Sequence, residues 1–79
     1  MTEYEKAKAW RENRGLSVDH LAELTGYGRR SIYWLERGES PPNALRAKPA
    51  KVQPWIWQRY KRICEGVESE LATGKKFNW

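Results

Sequence analysis

The sequence predicts an all-α domain of four to five helices, and three observations carry that reading. Apolar residues recur at helical spacing along most of the chain. Glycine and proline fall between the periodic stretches, where they stop one helix and start the next. The 79 residues suffice for one small domain, residues 1–79, near the lower limit for a self-sufficient core.

The first helix is expected from about Thr2 to Arg14. Tyr4, Ala7 and Trp10 or Arg11 mark its inner face, and Gly15 supplies a left-handed stop. The second begins near Ser17, a good N-cap, and carries Leu21, Ala22 and Leu24 inward. The third begins near Gly28 and carries Ile32 and Leu35, with Gly38 and then Pro41-Pro42 preventing its continuation. Residues 39–53 form a basic, proline-containing connector, read as an ordered excursion over the body or as a mobile arm. A fourth helix starts at Pro54, a residue suited to the first turn. Its stripe of Ile56, Tyr60, Ile63, Val67 and Leu71 favours continuation past Gly66 to about Ala72. Residues 73–79 are expected to be a flexible tail. Its Phe77 and Trp79 either reach across to a partner or fray.

Formal charge is +5 and the pI is near 9.6. The charge is unevenly spread. Residues 29–62 hold nine Lys/Arg against two Asp/Glu, net +7, whereas 1–28 (four against five) and 63–79 (two against three) are each net −1. An anionic partner for the middle of the chain follows. Cys64 is the only cysteine, which excludes an intrachain disulfide and a cysteine-based metal cluster. It reads as an apolar filler or an interface thiol, and the lone His20 as a surface residue. No nucleophile–base pair or glycine-rich phosphate loop is visible, so neither an enzyme nor a cofactor, metal or small-molecule ligand is expected. No apolar run is long enough to span a membrane and no leader is evident, so a cytoplasmic protein is expected.

Residues 17–38 carry the functional signal. Two short helices joined at Gly26 present the N-terminal half of the second to the outside. That half offers Gly28, Arg29, Arg30, Ser31, Tyr33 and Trp34, with Arg37 a turn further on. Arg29 and Arg30 have the donor forks that match guanine edges in a DNA major groove. Tyr33 suits a phosphate, and Trp34 a thymine methyl, a sugar or a protein contact. Arg46, Lys48 and Lys51 of the connector suit the phosphate backbone. The plainer alternative is a solvated basic face.

The stretch from Trp10 to Glu39 resembles the helix-turn-helix domain of the Cro/C1-type (XRE-like) phage repressor superfamily. The resemblance rests on Arg11, Gly15-Leu16-Ser17, Leu21-Ala22, Gly26, Ile32 and Leu35-Glu36-Arg37-Gly38. It implies a compact lambda-repressor-like fold and a structural salt bridge between Arg11 and Glu36. It also implies a homodimeric repressor or autorepressor of a phage or mobile-element operon, bound to an inverted-repeat operator in a bacterial host. Val18 stands where relatives often carry Gln and Trp34 where they usually carry a polar or basic residue, and Asp19 would repel a phosphate. The apolar Trp55, Ile56, Trp57, Tyr60, Ile63 and Val67 are more than one tiny core is expected to hide, and are assigned to a dimer interface. The rival reading is a protein-binding module of antitoxin or antiactivator type, with Tyr33 and Trp34 turned toward a protein.

Overall fold

The computed structural model describes residues 2–42 and 44–79. Helix α1 spans Glu3–Asn13 and opens on a capping box. The Glu5 amide donates to Thr2 Oγ1 at 3.3 Å while Glu5 Oε1 accepts from the Thr2 amide at 3.2 Å. Helix α2, Val18–Thr25, is capped by Ser17, whose hydroxyl accepts from the His20 amide at 3.0 Å. It ends at Gly26, whose φ of 79° lies in the left-handed region that side chains avoid. Helix α3, Arg29–Leu35, follows after two residues with Gly28 as its N-cap.

The connector is an ordered excursion. It contains a short antiparallel pair, β1 (Glu39–Ser40) and β2 (Ala50–Lys51), with Glu39 opposite Lys51 and Ser40 opposite Ala50. The all-α expectation therefore gains a two-residue ribbon that no periodicity announced. Gly38, at φ 75°, makes the turn into β1, and a Cβ there would lie 2.5 Å from the Tyr4 ring. Conformation and close approach both require glycine at that position. Helix α4 runs from Pro54 to Leu71 without breaking at Gly66, and Ala72 closes it at φ 51°.

The core draws on every helix. Ala7 and Trp10 of α1, Leu16, Leu21 of α2, Ile32 and Leu35 of α3, and Tyr60, Cys64 and Val67 of α4 are all buried. Burial pushes the Cys64 thiol up to about 12, so it stays protonated and unreactive as a small apolar filler.

Two expectations are corrected here. Residues 73–79 carry no helix or strand, yet they do not behave as a flexible tail. Trp79 is only 7% exposed and packs on Trp10, Trp57, Tyr60 and Phe77, with ring centroids 5.3–6.3 Å away. Its indole N–H donates to Glu3 Oε2 at 3.1 Å. The second correction concerns the residues assigned to a dimer interface. Tyr60 and Val67 lie inside the protomer, 1% and 3% exposed, and Trp57 packs on Tyr60 and Trp79 of its own chain. Trp79 packs on Trp57 and Tyr60, and Tyr27 stacks on Tyr60 at 5.2 Å, so the same chain supplies the cover for this part of α4.

Candidate nucleic-acid interface

Helix α3 is held from below by Ile32 and Leu35, both in the core, and its C-terminal end is fixed by an ion pair to α1. Arg11 of α1 reaches the end of α3 in a two-pronged bond. Its Nε donates to Glu36 Oε2 at 2.7 Å and its Nη2 to Glu36 Oε1 at 3.0 Å. The third arm, Nη1, donates to the Leu16 carbonyl at 2.9 Å. Side chains 12% and 9% exposed make this a largely desolvated pair, so Arg11 positions the motif and does not face solvent. The neighbouring carboxylate holds the guanidinium still more firmly in its charged form.

A second pair, which no sequence pattern announces, forms at the C-cap of α1. Arg14 forms a forked ion pair with Glu68 of α4, with side chains 2% and 7% exposed. Glu68 also accepts from the Trp10 indole at 3.3 Å and from the Thr73 hydroxyl at 3.2 Å, and Arg14 donates to the Lys76 carbonyl at 3.0 Å. The Arg14 guanidinium holds the Glu68 carboxyl down at about 2; burial opposes this, and the indole and hydroxyl donors add to it. No local spacing links residues 54 apart in sequence, and one arginine among many carried no signal.

Above this frame the outer face of α3 is open. Gly28, Arg29, Arg30, Ser31 and Tyr33 are exposed and Trp34 is half-buried. Arg29 lies 3.4 Å from Asp19 of α2 in a pair whose side chains are 74% and 67% exposed. Arg37 sits over the rings of both Tyr33 and Trp34, at 5.5 and 5.6 Å, and donates to the Tyr33 hydroxyl at 3.2 Å. The two rings meet edge to face at 5.9 Å. The aromatic pair thus presents a guanidinium in a fixed place. Trp34 also turns one side toward a groove of about 420 Å³ shared with Tyr27, Ser31, Pro41, Ile56 and Arg59.

The connector residues divide. Arg46 donates to the Pro41 carbonyl at 2.8 Å and to the Lys48 carbonyl at 2.9 Å, so its guanidinium staples the loop to itself. Arg46 is half-buried by this role, while Lys48 and Lys51 are exposed. Among the described residues, no three His, Cys, Asp or Glu side chains come together as a metal site, and no helix is long and apolar enough to cross a membrane.

A family model described as helix-turn-helix domain matches residues 5–67. The chain belongs to that family. The match covers α1 through most of α4 and includes both partners of the Arg11–Glu36 pair, whereas Glu68 lies just beyond it. The helix-turn-helix family is one of DNA-binding regulators. No curated protein and no solved structure matches the chain.

Proposed function

We propose that this helix-turn-helix protein is a homodimeric repressor or autorepressor of a phage or mobile-element operon. In this reading two copies bind an inverted-repeat operator, each placing α3 in a major groove about one helical turn from the other. The observation that carries it is the two-sided character of α3. Ile32 and Leu35 are locked in the core while Arg29, Arg30 and Tyr33 stand exposed on the opposite side. Arg29 and Arg30 read guanine edges, Arg37 and Tyr33 engage backbone or base as one prearranged group, and Lys48 and Lys51 meet phosphates. Trp55, at 61% exposure, with the half-buried Ile56 and Ile63 is the apolar surface left on α4 for a second copy. Repression is steric: the bound dimer occludes a promoter, and its concentration sets occupancy.

The test is fluorescence anisotropy on the duplex upstream of the protein's own gene, against a scrambled duplex, at about 150 mM salt. The proposal expects at least about a hundredfold preference for the native duplex, with two chains bound. Arg30→Ala should lose about 1–3 kcal/mol of that preference without changing the melting temperature. Equal weak binding to both duplexes would overturn autorepression. Loss of a protein complex on Trp34→Ala, with DNA affinity untouched by Arg30→Ala, would favour a protein-binding module.

A further inference from the structure

The ribbon between α3 and α4 has three properties whose combination calls for a ligand. It is rooted at the recognition helix, since β1 begins four residues after α3 ends. It is stiffened: Arg46 bonds carbonyls on both arms of the loop, and Pro41, Pro42 and Pro49 restrict the backbone. It carries the side chain of Leu45 outward at 99% exposure, next to Arg46, with Lys48 and Lys51 exposed on the returning arm. The ribbon's one acidic residue, Glu39, lies opposite Lys51 in register and 3.9 Å from Arg37, so its charge is offset locally. A stiff, basic arm that displays an apolar side chain in water gains nothing for the fold from that side chain.

We propose that the ribbon is a second DNA-contacting element, with Leu45 entering the minor groove beside the major groove that receives α3 and partly unstacking a base step. The inference rests on the operator-binding reading and adds to it a deformation of the DNA. Apolar wedges delivered to the minor groove by basic segments are an established way to kink a duplex. Lys48 and Lys51 would engage the phosphates flanking the step. The sequence preference added by this contact is one of deformability, with flexible pyrimidine–purine steps favoured.

The experiment uses the full chain and a duplex selected from a random library by the wild type. Bending is read by energy transfer between end labels, and unstacking by 2-aminopurine placed at successive steps outside each α3 footprint. The wild type should bend the duplex and raise 2-aminopurine emission at one step per half-site. Leu45→Ala alters an exposed side chain, so its melting temperature should match the wild type. It should keep the selected sequence in the major groove, lose most of the bend and emission, and bind about tenfold more weakly. Arg30→Ala should show the reverse, with sequence preference lost. If the wild type selects no duplex, the operator reading fails and this inference with it. If it selects one but leaves it straight and stacked, or if Leu45→Ala bends it equally, the ribbon inference alone is overturned. A Leu45→Ala defect that appears in self-association and leaves the bend intact also overturns it.

Discussion

The C-terminal end of α1 with its cap, and the start of α3, each present two arginines, and the pairs have opposite fates. Arg11 and Arg14 of α1 are drawn into the molecule by Glu36 and Glu68, with side chains 12% and 2% exposed. Arg29 and Arg30 of α3 stand in solvent, Arg29 at 74%. The residue type is the same, with Arg11 and Arg14 closing α1 and Arg29 and Arg30 opening α3. The difference lies in whether a carboxylate waits in a desolvated place. A guanidinium that enters such a place must be paired, because the cost of leaving either charge alone there is large. One that does not enter keeps most of its five donors for a ligand. The frame of this protein is thus made with the same chemistry as its binding face, separated by burial.

The strongest way to break the contrast is to uncover the α1 side. Trp79→Ala removes a ring packed on four other aromatic side chains and the indole bond to Glu3, and should destabilise the fold by about 4 kcal/mol in denaturant titration. A loss below about 1 kcal/mol would mean that the tail does not cover the core in solution. Glu68→Ala comes next. It strands a buried arginine and should cost about 3 kcal/mol, against about 2 kcal/mol for Glu36→Ala, whose pair is less deeply buried. The ranking has an acid signature. The Glu68 carboxyl sits at about 2 in the fold, below its ordinary value. Its stabilisation is therefore complete above that ordinary value and is lost as the pH falls from about 4.5 toward 2. Melting temperatures of the wild type should drop through that window, and those of Glu68→Gln should drop less. Parallel curves would remove Glu68 from the frame.

What the sequence disclosed follows the range of the interactions involved. Caps at Ser17, Gly26 and Gly28 act within a few residues, so α2, the turn and α3 were legible directly. The start of α4 at Pro54 was legible for the same reason. The Arg11–Glu36 pair was reached only through resemblance to relatives, since 25 residues separate its partners. Arg14–Glu68 spans 54 residues, and the Trp79–Glu3 contact spans nearly the whole chain. Neither leaves a periodic trace. The β1–β2 pair is too short to alternate, and its prolines read as loop. The α4 stripe was visible, but a stripe does not say whether its own chain or a second copy will cover it. Tyr60 and Val67 are expected outward for that reason, and both are buried within the protomer.

The smallest effect tests the contrast at its edge. Asp19 lies beside Arg29 at 3.4 Å, and both side chains are mostly in water. A pair of this kind contributes less than about 1 kcal/mol to stability, so Asp19→Asn should leave the melting temperature nearly unchanged. Its effect should instead fall on DNA. Removing a negative charge from beside the phosphates and releasing Arg29 should tighten operator binding by about three- to tenfold at low salt, with the gain shrinking as salt rises. The opposite result would be as informative. If Asp19→Asn weakens binding, the carboxylate aims Arg29 at the groove, and Arg29 then resembles Arg11 in being positioned by its partner while still facing outward like Arg30. Burial alone would no longer separate the framework arginines from the reading ones, and the partner carboxylate would have to be counted as part of the binding face.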